Sequence, residues 1–496
     1  MSVVTIEEMR HLENIMMDLG TTSNVLMEKA GKECAKFIQG KTAITDEIVI
    51  ICGSGNNGGD GFVIARYLFE AGYNVKFILI GTIEKMSNET KVNFLKINQI
   101  ENYRFPNDYE KTRELIQSSS VCIDAILGIG LKERVLTDIY YDLISLINAS
   151  DNIVFSIDLP SGIGGNSGLL NRIAVCATYT IAIQKIKIGC LINEGPNYSG
   201  EIVVVDIGIN DQICSPTYNL VNKNMLNYPK KRRLTSHKYD FGLLKIIAGS
   251  EKMLGAGILA ATAGIKTGAG LIISYIEKDN LLVFSMKLPP EIMIEPYESD
   301  KLLDAYCYGK DADAIVYGPG IARNRSDDKF LEYILQDKVP ILIDAGGLYH
   351  LEKITNLKNH EAPLIISPHL GEFSMLTGLS KAEITKNLIK VGISYAMKNK
   401  LTLILKAHRT MIFSEKGQVF FNVTGNPGMA TAGTGDVLSG MIGSILAQGY
   451  EPLSAALAGV YYHGLAGDNY TKKYGQTTLI ASDLIKNLKE VLDNNE

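Results

Sequence analysis

Continuous apolar runs alternate with segments of helical periodicity along the first part of the chain. Residues 48–52 and 75–80 are apolar runs of the kind that lies buried on both faces in a parallel sheet. Between them, Val63, Ala65 and Leu68 recur at the spacing of one buried helical face. This order predicts a βαβ unit. Further strands are predicted at 121–124, 153–158, 179–183 and 202–206.

The same alternation resumes after a polar interruption. Residues 216–235 show no clear period and carry the basic run Lys230-Lys-Arg-Arg233, which indicates a solvated linker. A segment of small residues at 253–266 then predicts a helix. Strands are predicted at 243–248, 271–274, 314–317, 341–344, 364–366 and 403–406. We therefore predict an α/β protein with two three-layer αβα domains, at 1–215 and 236–496.

The most informative polar segment is the glycine-rich stretch 422–436, which leads directly into a predicted helix. Apolar residues at 437–446 follow a helical spacing, so Asp436 lies in the first turn. The preceding loop Gly433-Thr434-Gly435 directs free N–H groups and the helix dipole to one point, where an anion can bind. A carboxylate beside such a point is well placed to take a proton from a hydroxyl that attacks a phosphate. The alternative is a glycine-rich turn in which Asp436 only caps the helix.

Three loops of the first half carry polar side chains at the carboxyl ends of predicted strands, where an open α/β sheet binds ligands. They are Asn56-Asn-Gly-Gly-Asp60, Asp124 with the glycines at 128–130, and Asp158 with Ser161. The glycine spacing is not G-x-G-x-x-G, which disfavours a dinucleotide site for hydride transfer. Taken singly, the asparagines could merely occupy turn positions.

Loops of the second half follow the same rule, which indicates a second doubly wound sheet with one long cleft. They contain Gly318-Pro-Gly320, Asp344-Ala-Gly-Gly347, Ser367-Pro-His-Leu-Gly-Glu372 and Lys406-Ala-His-Arg-Thr410. One histidine beside one glutamate, with no second histidine four residues away, disfavours a zinc site.

Composition narrows the class of protein. The 496 residues require at least two domains, and a net charge of -5 gives no reason to expect nucleic acid or an anionic membrane as a partner. Seven scattered cysteines are typical of a reduced, cytoplasmic protein. No signal peptide is expected, and no apolar run approaches the roughly 20 residues that span a bilayer.

The stretch 422–436 resembles the signature of the ribokinase-like ADP/ATP-dependent NAD(P)H-hydrate dehydratases. The resemblance implies a ribokinase-like second domain that uses ATP or ADP, with Mg²⁺, to dehydrate the S form of hydrated NADH or NADPH. It implies that the hydrate is bound by Ala256, Gly320, His369 and the catalytic Asp436. It implies that the nucleotide is bound by Lys406, Ala407, His408, Arg409, Thr410 and Gly435.

The first half is similar to the NAD(P)H-hydrate epimerase domain, which is Rossmann-like. The residues that carry this similarity are N-N-G-G-D-G at 56–61, D-L-P-S-G at 158–162, Lys187-Ile-Gly and Asp206-Ile-Gly208. The resemblance implies that Asp158 is catalytic and that K⁺ is held by Asn57, Asp124 and Ser161, whose oxygen ligands suit such a cation. It implies a substrate site of Asn56, Asn57, Gly58, Gly59, Asp60, Gly128, Ile129, Gly130, Leu131, Lys132, Glu133, Arg134 and Asp158.

Taken together, the two halves resemble the family of bifunctional NAD(P)H-hydrate repair enzymes. That family tends to self-associate, so a homo-oligomer is expected. Ile129, Tyr239 and Ala407 depart from the family pattern, and a tyrosine tolerates positive φ poorly. One alternative is a ribokinase-like vitamin kinase fused to a non-catalytic ligand-binding domain. Another treats residues 1–215 as a ligand-binding or protein-interaction module, against which three carboxylates at strand ends argue. The choice between ATP and ADP stays open.

Overall fold

The computed structural model describes residues 2–130, 135–209, 217–308, 311–323 and 328–493. The chain divides into two compact units, Met1–Thr217 and Tyr218–Glu496, which we describe separately. None of the helices within the described ranges combines the length and hydropathy needed to cross a lipid bilayer.

A parallel sheet forms the centre of the first unit. Its strands, in the spatial order β4-β3-β2-β5-β6-β7-β9, are all parallel to their neighbours. Outside this seven-stranded sheet, β1 pairs with β8 in parallel. The strands are β1 (Ser2–Val4), β2 (Glu47–Cys52), β3 (Asn74–Ile80), β4 (Asn102–Phe105), β5 (Val121–Ala125), β6 (Ile153–Ile157), β7 (Tyr179–Ile183), β8 (Ile186–Lys187) and β9 (Glu201–Val205).

Helices cover both faces of this sheet. Ile50 and Ile123 belong to the core on one face, and Val49 and Cys122 belong to the core on the other. Because successive side chains of a strand point to opposite faces, each apolar run is buried on both sides. The helices are α1 (Ile6–Asp18), α2 (Ser23–Gln39), α3 (Asn56–Glu70), α4 (Asn88–Leu95), α5 (Tyr109–Ser118), α6 (Asp138–Asn148) and α7 (Gly195–Tyr198). The predicted three-layer arrangement is therefore present in the first unit.

The second unit is built on a mixed sheet with the order β13-β12-β11-β14-β15-β16-β17-β18-β19-β10. Neighbours are parallel from β13 to β17, and β18 is antiparallel to both β17 and β19. The strands are β10 (Tyr218–Leu220), β11 (Leu243–Ile247), β12 (Leu271–Glu277), β13 (Met293–Tyr297), β14 (Ala314–Tyr317), β15 (Ile341–Ile343), β16 (Leu364–Ile366), β17 (Thr402–Leu405), β18 (Met411–Phe413) and β19 (Val419–Phe421).

Its sheet is also buried on both faces, since Val316 packs in the core formed with α8 and α16 while its neighbour Ile315 is buried outside that core. The helices are α8 (Leu254–Lys266), α9 (Leu281–Lys287), α10 (Leu302–Tyr308), α11 (Asp328–Leu335), α12 (Gly346–Leu351), α13 (Leu370–Thr377), α14 (Lys381–Lys386), α15 (Leu388–Asn399), α16 (Thr434–Ala447), α17 (Pro452–Tyr474) and α18 (Ala481–Leu492).

Helix α16 lies in the middle of that core. Every residue from Val437 to Ala447 is buried, and the helix packs closely against α8. A Cβ on Gly440 would overlap the carbonyl oxygen of Ala260, so only glycine permits this approach of the two helices. The tight packing fixes the N-terminal turn of α16, which carries Asp436.

The stretch 216–235 is not the free linker that its polarity predicts. Residues 218–220 form β10, which pairs with β19, and Tyr228 is buried against Tyr450 and Tyr462. The described part of this stretch therefore belongs to the second unit. These contacts could not be predicted from the polar composition of the segment, because only a few of its side chains, such as that of Tyr228, are buried.

Candidate functional sites

The first unit contains a cavity of about 340 Å³ at the carboxyl ends of β2, β5 and β6, which we call the first cavity. Of the predicted residues it brings together Asn56, Asn57, Asp60, Gly128, Ile129, Gly130 and Asp158. It is also lined by Met9, Arg10, Glu13, Ser54, Gly55, Ile126, Leu127, Tyr140, Ile183 and Lys187. The predicted residues Leu131, Lys132, Glu133 and Arg134 lie outside the described residues.

Gly58 and Gly59 stand in the first turn of α3 and do not line this cavity. A Cβ on Gly58 would overlap the carbonyl oxygen of Gly53, and one on Gly59 would lie 2.6 Å from the Met27 side chain. Both glycines therefore serve the close packing of the helix start, which in turn fixes the neighbouring Asn57 and Asp60.

Asp158 follows β6 and has a φ of 72°, in the left-handed region that favours glycine. Its N–H donates to the carbonyl oxygen of Ile181 at 2.8 Å, and its Oδ1 accepts from the N–H of Ile183 at 3.3 Å. The same Oδ1 is paired with the ammonium group of Lys187, which is almost completely buried. Backbone and side chain are thus both fixed, which is how strained residues persist at functional sites.

Two further carboxyl groups face the first cavity. Burial, with the negative charge of Asp158 as the next cause, raises the pKa of Glu13 and raises that of Asp60 well above its usual range. The same helix as Glu13 contributes Arg10, which donates to the carbonyl oxygen of Ile129 at 3.0 Å. Since this bond uses the backbone, the isoleucine at 129 does not remove it. Sequence reasoning missed the helix because its amphipathic pattern resembles that of any surface helix.

The predicted potassium ligands Asp124 and Ser161 lie together at the base of this region. Asp124 is fully buried and accepts from the Ser161 hydroxyl at 2.5 Å, the Ser161 N–H at 2.9 Å, the Ser156 hydroxyl at 2.8 Å and the Ile126 N–H at 3.2 Å. Burial raises the pKa of Asp124, and these hydrogen bonds oppose the rise. Asn57 is buried too, and neither atom of its amide has a hydrogen-bond partner among the described residues. An orphaned amide oxygen beside a cavity suits a cation ligand.

In the second unit, Asp436 lies in the first turn of α16, after Gly433 with a φ of 90°. Burial, followed by the negative charge of Asp344, raises the pKa of Asp436 to about 7, while the charge of Lys406 opposes the rise. A carboxyl group with a pKa near neutrality can accept or return a proton under ordinary conditions.

Asp344 and Lys406 form an ion pair at the ends of β15 and β17. The Nζ of Lys406 lies 2.6 Å from Oδ1 of Asp344, whose Oδ2 accepts from the hydroxyl of Ser439 at 2.7 Å. Ser439 stands one turn after Asp436 on α16, so the pair is attached to the same helix. The loop around Asp344 was noted as polar from the sequence, but its role as the partner of Lys406 was not predicted.

A cavity of about 630 Å³, the second cavity, opens beside this pair. It brings together the predicted residues His369, Lys406, Ala407, His408, Thr410 and Gly435. Arg409 and Asp436 are not among its lining residues. His463 of α17 lines it and donates from Nε2 to the carbonyl oxygen of Thr434 at 2.9 Å, and burial lowers the pKa of His463 to about 4. His463 was missed because a histidine inside a long helix gives no local signal.

The predicted Ala256 and Gly320 contact each other, and they do not line the second cavity. Gly320 has a φ of 67°, and a Cβ there would lie 2.7 Å from the Cβ of Ala256. His369 caps α13, because its Nδ1 accepts the N–H groups of Gly371 and Glu372 at 3.0 and 3.1 Å. The histidine is thus oriented by the helix start.

The glycine-rich loop before α16 is held by a residue that sequence reasoning missed. Asp468 of α17 accepts from the N–H of Gly425 and from Nδ2 of Asn426, each at 2.9 Å. Neither Tyr239 nor Ala407 is among the described residues with positive φ. The two departures from the family pattern therefore introduce no left-handed backbone strain.

Fold and sites together define a Rossmann-like α/β unit joined to a ribokinase-like unit with a carboxylate at a helix N-terminus. The family model for NAD(P)H-hydrate dehydratase matches residues 244–490, and the model for the YjeF-related protein N-terminus matches residues 23–189. An ADP/ATP-dependent NAD(P)H-hydrate dehydratase from Bacillus subtilis, co-crystallised with ATP and Mg²⁺, is 29% identical and has a TM-score of 0.50 over 54% of this chain and 94% of its own. A ribokinase-like superfamily protein from Enterococcus faecalis is 26% identical, with a TM-score of 0.51 over 57% of this chain and 99% of its own.

Full-length relatives match both units at once. The bifunctional NAD(P)H-hydrate repair enzyme of Moorella thermoacetica is 32% identical and covers 100% of this chain and 97% of the relative. That of Escherichia coli is 28% identical over 96% of this chain and 90% of the relative. The chain belongs to the family of bifunctional NAD(P)H-hydrate repair enzymes. The predicted family and fold class are confirmed.

Proposed function

We infer that this protein repairs hydrated NADH and NADPH. The first unit interconverts the R and S hydrates, and the second unit uses a nucleotide to dehydrate the S hydrate and restore the dihydropyridine. The observation that carries this conclusion is the similarity to bifunctional repair enzymes over the whole length of the chain. It also disfavours a vitamin kinase fused to a passive module, because such a kinase has no need for the first unit.

The dehydration follows from the chemistry of the leaving group. Hydroxide leaves a ring carbon poorly, whereas phosphate leaves well, so the hydrate is phosphorylated before elimination. Asp436 takes the proton of the hydrate hydroxyl as its oxygen attacks the terminal phosphate of the nucleotide. With a pKa of about 7, Asp436 is partly ionised at neutral pH and accepts the proton without a large free-energy cost.

The phosphates of ATP or ADP would be held by Lys406, by the residues that follow it up to Thr410, and by Gly435. Lys406 already lies between Asp344 and the second cavity, so an incoming phosphate can share its ammonium group. Ala256, Gly320 and His369 would hold the hydrate.

Magnesium would enter with the nucleotide. Among the described residues there is no group of three or more histidine, cysteine or acidic side chains that could hold a metal alone. Mg²⁺ does not require such a group, because it usually binds through one or two carboxylates together with substrate phosphates. Bound there, the ion would neutralise charge on the transferring phosphoryl group.

In the first unit, Asp158 would act on the reacting ring carbon, with Asn56 to Asp60 and the loop from Gly128 holding the nucleotide part of the hydrate. The orphaned amide of Asn57, with Asp124 and Ser161, would hold K⁺. This ion would fix the loops that carry these residues. A cytoplasmic location and self-association complete the proposal.

The test uses the whole protein, a mixture of R and S hydrates of NADH, Mg²⁺ and either ATP or ADP. We expect the absorbance of reduced pyridine to return in a fast phase as the S form is consumed, and then in a phase limited by epimerisation until the whole mixture is repaired. No return with either nucleotide would refute the second activity. A halt after the S form, with only the uncatalysed conversion of R continuing, would refute the first.

A further inference from the structure

The ammonium group of Lys187 occupies an unusual position for a lysine. Its side chain is only 1% exposed, yet the residue lines the first cavity. It is paired with Oδ1 of Asp158 and donates to the carbonyl oxygen of Ile183 at 2.9 Å. A buried ammonium group is expensive to maintain unless its charge is used by a partner. Lys187 belongs to the segment Lys187-Ile-Gly that carries the family similarity.

Asp158 is surrounded by charged and titratable groups from several elements. They are Arg10 and Glu13 of α1, Cys34 of α2, Asp60 of α3 and Lys187 of β8. Among the described residues, three carboxyl groups therefore line the cavity, and Lys187 contacts one of them directly. Carboxyl groups in such proximity cannot all be ionised without strong repulsion.

The three carboxyl groups are differentiated by their surroundings. Burial and the charge of Asp158 raise the pKa of Asp60 and of Glu13, which favours their protonated forms. Of these three, Asp158 is the one with an ammonium partner and a backbone N–H on its Oδ1 within the part of the chain that the structure describes. Two groups whose environments differ in this way are suited to act as acid and base in one reaction.

We propose that Lys187 is a positioning residue for epimerisation, which holds Asp158 as a carboxylate directed into the cavity while Asp60 supplies the proton. This inference rests on the proposed function of the first unit. The carboxyl of Asp60 protonates the ring hydroxyl, the carbon–oxygen bond breaks, and water leaves. The lone pair of the ring nitrogen forms a carbon–nitrogen double bond. Water then adds to the opposite face and gives its proton to Asp158, and that proton returns to Asp60 through water.

The test measures the pH dependence of epimerisation in the full-length protein, using the slow phase of repair of mixed hydrates. Lys187→Gln removes the cation, which favours protonation of Asp158, so the acid limb of the profile should move up by about one to three pH units. Lys187→Arg keeps the charge and should leave the limb in place. The control is Lys185→Gln, since Lys185 is also buried but does not line the cavity.

Three outcomes decide the matter. An unchanged limb in Lys187→Gln, whether or not the rate falls, overturns the proposal, because a merely structural lysine would not move it. Asp60→Asn should slow the slow phase at every pH, and a wild-type rate there removes Asp60 as the donor. Because the fast phase reports only the second unit, thermal unfolding of the full-length protein checks that the first unit of each variant is folded. Lys187→Met, which also removes the charge, supplies the profile if Lys187→Gln does not fold. If the wild type itself shows no catalysed slow phase, the proposed epimerase function fails instead.

Discussion

The first and the second cavity each contain a lysine whose ammonium group is paired with an aspartate. In the first, Lys187 contacts Asp158, the residue predicted to act on the substrate. In the second, Lys406 contacts Asp344, whereas the predicted base Asp436 forms no ion pair with any of the described residues and has a pKa of about 7. In the first unit, the ion pair therefore includes the carboxylate proposed to react, Asp158. In the second unit, the ion pair is formed by Asp344, and the carboxylate proposed to react, Asp436, can gain or lose a proton near pH 7.

The difference matches the chemistry proposed for each unit. A base that must accept a proton during phosphoryl transfer works best with a pKa near the working pH. The lysine of the second cavity is also more exposed, at 23% of its side chain against 1% for that of the first, which leaves it accessible to an incoming phosphate. The role of a lysine–aspartate pair beside a cavity thus depends on whether the reacting carboxylate belongs to the pair.

The largest effect is expected when the proposed base, Asp436, is replaced. Asp436→Asn keeps size and hydrogen bonding but cannot accept the proton, so dehydration of the S hydrate should fall by roughly 10²–10⁴-fold. Epimerisation should not change, because the two units have separate cavities. The measurement is the rate of return of reduced pyridine from pure S hydrate.

A matched control for this variant is Asp483→Asn, since Asp483 also lies in the first turn of a helix, α18. It should leave both activities unchanged. Full dehydration activity in Asp436→Asn would remove Asp436 from the mechanism and, with it, the contrast between the two cavities.

The next prediction concerns the pH dependence of dehydration in the second unit. Only ionised Asp436 accepts a proton, so kcat/KM for dehydration should rise with pH through about 7 in the wild type. The negative charge of Asp344 contributes to raising that pKa, so Asp344→Asn should lower it and move the acid limb to lower pH, by about one unit. The measurement is kcat/KM for the S hydrate at saturating nucleotide across pH. A limb that stays in place or moves up would contradict the role given to Asp344.

These pairs also show what the sequence could and could not predict. Apolar runs located most of the strands that carry the sites, because burial on both faces of a parallel sheet leaves a local pattern. Asp436 was predictable because the glycine loop and the helix that orient it are adjacent to it in sequence. Asp158 was recognised through its motif with Ser161.

The partners were not predictable in the same way. Lys187 is 29 residues from Asp158, and Lys406 is 62 residues from Asp344, so each pair is brought together only by the tertiary fold. Strand β10 was missed because three residues of a polar segment give no period. Glu13 of α1 was missed because nothing in an amphipathic helix indicates which of its residues faces a cavity.

A smaller effect separates ion binding from structure in the first unit. Asn57→Ala removes an amide that has no hydrogen-bond partner among the described residues, so it should reduce the stimulation of epimerisation by K⁺ with little loss of stability. Asp124→Ala leaves the buried hydroxyl of Ser156 and the N–H of Ser161 without their acceptor, at roughly 1–3 kcal/mol for each. The measurements are the free energy of unfolding and the epimerisation rate with K⁺ or Na⁺. Equal destabilisation by both variants, with an unchanged response to K⁺, would refute a cation site there.

The smallest effect concerns Ala407, which lies in the proposed nucleotide-binding loop and does not have a positive φ. Since an alanine there is unstrained, Ala407→Gly should leave the KM for ATP or ADP nearly unchanged and should only lower stability, by about 0.4–1 kcal/mol, through the added freedom of the unfolded chain.

The contrasting variant is Gly435→Ala, whose new Cβ would lie 3.7 Å from Nζ of Lys406 and 3.9 Å from Oδ2 of Asp344. Those are ordinary contact distances, so the variant should fold, but its methyl group would occupy space that the phosphates need and should raise the nucleotide KM. Steady-state kinetics with each nucleotide, beside thermal unfolding, distinguishes the two. A large change of KM in Ala407→Gly would mean that, when the nucleotide binds, the loop adopts a backbone conformation that alanine resists. In the second cavity, the backbone of this loop would then change on binding, in addition to the protonation state of Asp436.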